Sequence, residues 1–137
     1  RERALTGIVI DTSAVIAILR GEPEKAAFVE AIEAAHPRLI SAVSLQEASM
    51  AALGGGADHR AFALVDALLA SLAIDTAPYD ADMAALAREA FAAFGKGRHS
   101  AGLNMGDCAS YALARAAGFP LLFKGADFAR TDIRSAL

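Results

Sequence analysis

The chain has a single cysteine, no tryptophan and no excess of positive charge. One thiol, Cys108, excludes an intrachain disulfide and suits a reducing compartment, so the expected location is the cytoplasm. No base stands beside it in sequence, and it reads as a packed structural thiol. No apolar run approaches the roughly 18 residues that a membrane span needs, so no membrane is expected as a partner. Nor does a secretory pattern open the chain: Arg1 to Thr6 is short and charged. With 16 acidic against 13 basic residues the net charge is −3, which argues against binding nucleic acid through bulk charge. A metal ion would still let an acidic site take a phosphate. What the chain does have is apolar residues, 55% of 137. That excludes a disordered chain and fits one domain, residues 1–137, with one core.

The organising stretch is Gly7-Ile8-Val9-Ile10-Asp11-Thr12-Ser13. Three β-branched residues without a polar interruption read as a strand buried on both faces of a parallel sheet. Asp11 follows at once, then an apolar run, Ala14 to Leu19, which Thr12 or Ser13 can cap as a helix. Ligands of open α/β sheets bind beyond the carboxyl ends of the strands, and Asp11 stands there.

The rest alternates in the same way. Pro23 suits the first position of a helix running to about Ala35, closed by His36-Pro37. Arg38 to Val43 reads as a second strand. Ser44 then opens a helix, Leu45 to Leu53, which stops at Gly54-Gly55-Gly56. These glycines lack the Lys-Ser or Lys-Thr of a phosphate loop. Asp58 caps a helix from His59 to Leu72, Ala73 to Ala77 is a short strand, and Asp80 caps Ala81 to Phe94. A loop from Gly95 to Gly102 carries Lys96, Arg98 and His99. Asn104 caps Met105 to Ala117, which Gly118 ends. Leu121-Leu122-Phe123 is a fourth strand, and Ile133 to Leu137 offers a fifth at the edge. The pattern predicts an α/β fold of three layers, α/β/α, with a central parallel sheet of four to five strands covered by helices on both faces.

On this frame four acids share one edge of the sheet. Glu47 comes three residues after Ser44 and Asp107 three after Asn104, each in the expected first turn of a helix, and Asp127 lies just past the fourth strand. Each of the two helix pairs resembles a capping box, a purely structural role that the helix dipole favours. Four carboxylates on one edge have a different consequence. Two unit charges 4 Å apart repel by about 4 kcal/mol at an effective dielectric near 20. Such a cluster needs protonation or a cation, and hard oxygen ligands select Mg²⁺ or Mn²⁺.

These residues resemble a PIN-domain ribonuclease, and more closely the VapC-type toxins of bacterial toxin–antitoxin pairs. The matching stretches are Ile8 to Ala14, Ser44-Leu45-Gln46-Glu47, Gly95 to His99 leading into Leu103 to Cys108, and Leu121 to Phe128 closing with Thr131-Asp132-Ile133. They cover essentially the whole chain, which the resemblance makes a single PIN domain. It implies a metal-dependent endoribonuclease whose invariant acids fall on Asp11, Glu47 and Asp107, with a more variable fourth on Asp127. These bind Mg²⁺ or Mn²⁺, with Thr12 or Ser13 matching the hydroxyl after the first acid and Asn104 the asparagine before the third. It further implies a homodimer held silent by a cognate antitoxin that occupies the acidic site.

The chemistry expected of such a site is hydrolysis by a metal-activated water. Lys96, Arg98, His99, Lys124 and Arg130 could hold the RNA backbone away from the acids. His36 and His59, at helix ends, read as structural, and Tyr111 as core packing. The alternative is a non-catalytic or phosphotransfer domain with an acidic Mg-binding pocket, toward which Lys124 points and which leaves Glu47 and Asp107 unexplained.

Overall fold

The computed structural model describes residues 6–54 and 58–137. Arg1 to Leu5 and the glycines Gly55 and Gly56 of the expected turn lie outside the described residues. Strand β1 (Ile8–Ile10) leads through Asp11 into α1 (Thr12–Leu19), followed by α2 (Lys25–Glu33), β2 (Arg38–Ser41) and α3 (Ala42–Leu53). Then come α4 (Arg60–Ser71), β3 (Asp75–Ala77), α5 (Ala81–Phe94), α6 (Met105–Ala117), β4 (Leu121–Leu122) and a 3₁₀ turn, Phe128–Arg130. The strands pair in parallel in the order β3-β2-β1-β4. The expected fifth strand reduces to one pairing of Ser135 with Leu121, since only Leu121 exchanges backbone hydrogen bonds with Arg134 and Ala136.

Alternation along the strands divides the interior in two. Ile8, Ile10, Ile40 and Leu122 face α1 to α4, whereas Val9, Leu39 and Leu121 face α5 and α6. Burying each such side chain contributes about 1.5–3 kcal/mol, so these short strands are held by both layers rather than by their few ladder bonds. The three-layer parallel architecture expected from the sequence is therefore present. The chain runs β1, β2, β3 to one side and then returns to place β4 on the other side of β1. The strand order reverses between β1 and β4, and a crevice at the carboxyl ends of these two strands is where ligands of such sheets lie.

Four helix starts differ from expectation: α2 begins at Lys25 behind Glu24 rather than at Pro23, α4 begins at Arg60 with His59 rather than Asp58 at the cap position, and α1 and α3 differ in their caps. Asp11 itself caps α1, accepting from the Ser13 backbone N–H, so Thr12 and Ser13 are already helical. Ser41, not Ser44, caps α3, accepting from Val43 N at 3.2 Å. The Ser44–Glu47 capping box consequently does not form: Ser44 is turned into the core, and Glu47 is the sixth helical residue rather than in the first turn. The starts of α5 at Asp80 and α6 at Asn104 are as expected, and α6 ends on Gly118 in the left-handed conformation that glycine tolerates (φ 73°).

Candidate active site

Asp11 sits at the crevice between β1 and β4 and is 3% exposed. A carboxylate this buried must have its oxygens satisfied. Oδ2 accepts from Ser13 N at 3.0 Å and from Ser13 Oγ at 2.6 Å, and Oδ1 accepts from Ser110 Oγ at 2.6 Å. Each hydroxyl is itself held from behind. Lys124 N donates to Ser13 Oγ at 3.0 Å, and Ser44 Oγ lies 2.9 Å from Ser110 Oγ. The Asp11 backbone N–H completes the β1–β4 pairing through Leu122 O.

Glu47 reaches the same edge one helical turn later than expected. Its Oε1 accepts from Thr12 Oγ1 at 2.8 Å, and the same hydroxyl lies 3.1 Å from Ser44 O. The carboxylate rests on the backbone of Gly106: a Cβ there would stand 2.5 and 2.6 Å from the two Glu47 oxygens. Only a glycine leaves room for the Glu47 carboxylate in this position.

Asp107 and Asn104 make a full capping box. Asn104 N donates to Asp107 Oδ2 at 3.0 Å, and Asp107 N donates to Asn104 Oδ1 at 2.8 Å. Burial pushes the Asp107 carboxyl up to about 6, against the Asn104 N–H, and the negative charges of Asp11, Glu47 and Asp127 add to the rise. Asp127 is exposed at the start of the 3₁₀ turn, caps nothing with its side chain, and is near enough to act on Asp107. The four sequence-predicted acids are thus gathered on one edge.

The predicted basic residues behave differently. Lys96 is exposed on its loop. Arg98 Nε donates to Ala92 O at 3.1 Å, His99 Nδ1 accepts from Ala101 N at 3.0 Å, and Arg130 Nη1 donates to Ser100 O at 3.1 Å. These three therefore brace the 95–103 loop. Lys124 Nζ pairs with Glu22 at 2.9 Å and lies 3.4 Å from Glu24, turned away from the four acids. His36 and His59 are exposed at helix ends, as expected. Cys108 is buried, and burial, helped by Asp107, pushes its thiol up to about 11, so it is inert at neutral pH. Tyr111 packs in the core, and its hydroxyl donates to Asp132, which Arg115 Nη2 also meets at 2.6 Å.

Sequence reasoning missed three contributors: Ser110, Ser44 and Gly106. Ser110 follows Asp107 by three residues and so shares its face of α6, a signal that periodicity alone could have raised. The role of Gly106 had no such signal, because it depends on which helix packs opposite.

Among the described residues no lysine, arginine or histidine forms an ion pair with Asp11, Glu47, Asp107 or Asp127. Glu47 Oε2 and Asp107 Oδ1 accept no hydrogen bond from the described residues. Hard oxygen donors, held on one side and open on the other, fit Mg²⁺ or Mn²⁺. Among the described residues no three such donors already close around one point, so an ion would draw them in.

The fold and this acid-lined edge define a PIN domain, and the PIN-domain family model matches residues 8–134. Ribonuclease VapC30 of Mycobacterium tuberculosis is 47% identical over 131 residues, covering 92% of this chain and 95% of its own length. Ribonuclease VapC28 of the same organism is 43% identical over 131 residues, covering 95% and 98%. Among solved structures, VapC20 of Mycobacterium tuberculosis, described as a sarcin-ricin loop cleaving toxin, superposes with a TM-score of 0.72 at 21% identity, covering 92% of this chain and 95% of that one. A toxin–antitoxin complex from Klebsiella pneumoniae follows at 0.66 and 18%, covering 91% and 92%. The chain belongs to the PIN-domain family and, within it, to the VapC group.

Proposed function

We propose that the chain, as a single PIN domain over residues 1–137, is a metal-dependent endoribonuclease and the toxin of a toxin–antitoxin pair. One observation carries the reading: four carboxylates share an edge with no ion-paired cation among the described residues, and burial, with the charges of the other three acids adding to it, pushes Asp107 up to about 6. Asp11, Glu47, Asp107 and Asp127 would hold Mg²⁺ or Mn²⁺. Held there, it would supply a more acidic bound water and polarisation of the phosphate. The chain's own residues do the rest. Ser13 and Ser110 fix both oxygens of Asp11, Thr12 fixes one oxygen of Glu47 and leaves the other to orient a water, and Asn104 holds Asp107 by Oδ2. Lys96 and the loop braced by Arg98, His99 and Arg130 hold the RNA backbone beside the acids. With water as nucleophile, the products carry a 5′-phosphate and a 3′-hydroxyl.

The same charge logic extends to partners. A cognate antitoxin places a basic side chain among the acids, where its cation takes the place of the metal's. The relatives' names support the ribonuclease reading, and the Klebsiella pneumoniae complex supports the pairing. The working state is a cytoplasmic homodimer; among the described residues no helix is long and apolar enough to cross a membrane. The phosphotransfer reading loses support, because Lys124 is turned to Glu22 and Glu24.

The test is to incubate the purified chain with cellular RNA and Mg²⁺ or Mn²⁺, then ligate adaptors to the fragments without prior phosphorylation. New ligatable 5′ ends that vanish with chelator are expected. Recovery of 2′,3′-cyclic phosphates as the main product would overturn the mechanism.

A further inference from the structure

We propose that Ser44 and Ser110 form a directed hydroxyl relay that sets the spacing of the three acids, with Ser110 as a positioning residue for Asp11. The inference rests on the metal reading above and deepens it.

Both serines are fully buried, at 0% exposure, Ser44 in the first turn of α3 and Ser110 in the middle of α6. A buried hydroxyl is costly unless bonded, and alanine is the better helix former, so packing alone gives no reason for serine at either place. The hydrogen bonds give one. Ser110 Oγ has a single proton, and the 2.6 Å contact to Asp11 Oδ1 takes it, because a carboxylate only accepts. The 2.9 Å contact between the two serines is therefore donated by Ser44. The relay runs Ser44 to Ser110 to Asp11, each bond polarising the next, and ends on the carboxylate.

Its position in the fold matters more than its strength. Ser44 lies three residues before Glu47 on α3, and Ser110 three residues after Asp107 on α6, so each serine shares a helix face with an acid. The bond between the serines sets how far α3 stands from α6, and hence Glu47 from Asp107. The bond from Ser110 to Asp11 then refers both helices to the end of β1. Thr12 adds a second tie between α1 and α3 on the same side, to Glu47 and to Ser44 O. One short chain of hydroxyls thus fixes three carboxylates that come from three separate elements.

The experiment measures Mn²⁺ binding to the full chain by calorimetric titration at neutral pH, beside the melting temperature without metal. Ser110→Ala should weaken Mn²⁺ binding by about 10–100-fold, the range for outer-shell partners of metal ligands. Ser44→Ala should weaken it less, and the double variant should match Ser110→Ala alone, since Ser44 acts only through Ser110. Ser110→Thr keeps the hydroxyl while crowding a filled core, so it should melt lower and yet retain the wild-type affinity within about threefold. A merely structural serine gives the reverse, with affinity following melting temperature. Wild-type affinity in Ser110→Ala, or additive losses in the double variant, would overturn the relay while leaving the metal site standing. Absence of Mn²⁺ binding in the wild type would overturn both. If Ser110→Ala does not fold, Ser44→Ala against Ser44→Thr carries the same comparison, and equal affinity in those two overturns the relay.

Discussion

Of the carboxylates that meet helix α6, Asp107 in its first turn and Asp132 against its last turns have opposite surroundings. Asp132 has its charge answered within the protein: the Tyr111 hydroxyl and then the Arg115 guanidinium hold its carboxyl below the usual range. Asp107 is half-buried among three more acids, and its carboxyl is raised to about 6. One helix therefore carries both solutions to a charged carboxylate. Where the protein supplies the cation, the cluster serves structure. Where it supplies only hydroxyls and backbone N–H groups, the charge has no counter-charge among the described residues.

The sharpest way to break this contrast is to remove one charge from each cluster. Asp11→Asn should cut RNA cleavage by about 10³-fold, the several kcal/mol that metal stabilisation of a transition state supplies. Asp132→Asn, at a site more than half exposed, should leave cleavage within about threefold, since exposed pairs contribute little. Comparable losses in the two would mean that the acidic edge is not the reacting site.

A slightly smaller effect isolates Glu47. Gly106→Ala places a methyl against the Glu47 oxygens, the far end of a flexible side chain, so the chain should still fold while Glu47 swings away. Cleavage should fall by about 10–100-fold, as for loss of a supporting contact to a metal ligand. Circular dichroism beside the cleavage assay separates this from unfolding.

The pH dependence distinguishes the two acids by sign. A folded-state value of about 6 for Asp107, above the ordinary 3.8, means that ionisation costs stability in the fold. Metal-free protein should therefore lose stability as pH rises from about 4 to above 6, by about 1 kcal/mol after allowing for solvent screening of a half-exposed group. Asp107→Asn should remove this loss. Asp132, held low, acts the other way: its contribution is present above pH 4 and lost as pH falls below it. Added Mg²⁺ should reverse the Asp107 trend, because protons compete with metal for the carboxylates. Thermal melts across pH, with and without Mg²⁺, check all three.

The smallest effect is at Lys124. Lys124→Met should leave the melting temperature close to that of the wild type, as expected for an exposed pair, and the change in RNA affinity measures whether the side chain leaves Glu22 for the backbone phosphate.

Much of this was legible from the chain alone, and the failures have physical causes. Asp80 and Asn104 each stand before a long periodic run, with the acceptor side chain and the first helical N–H groups in adjacent sequence, so α5 and α6 start where expected. At α3 the apolar run passes from strand to helix through Ala42 and Val43 without a break, and two serines compete for the cap. Ser41 wins because β2 ends there, in register with Ala77 of β3, a partner 36 residues away that no local pattern contains. Glu47 nevertheless reaches the edge, since the helix simply starts one turn sooner. The acids were legible because their chemistry is a property of residue type. The hydroxyls that hold them, and the glycine that makes room for Glu47, were not, because their roles exist only between elements. Among the basic residues the structure adds a role that charge alone did not indicate: Arg98, His99 and Arg130 brace their own loop.

The bonds to Asp11 also set an order of events during synthesis. Ser110 is 99 residues downstream of Asp11, and the Lys124 amide that holds Ser13 is 111 residues beyond that serine. Asp11 and its neighbour Ser13 leave the ribosome early, but the Ser110 hydroxyl and the Lys124 amide follow only much later. A chain truncated before β4 carries Asp11, Glu47 and Asp107 but lacks the Lys124 amide that holds Ser13. The finished centre thus forms only after residues 110 and 124 have been made.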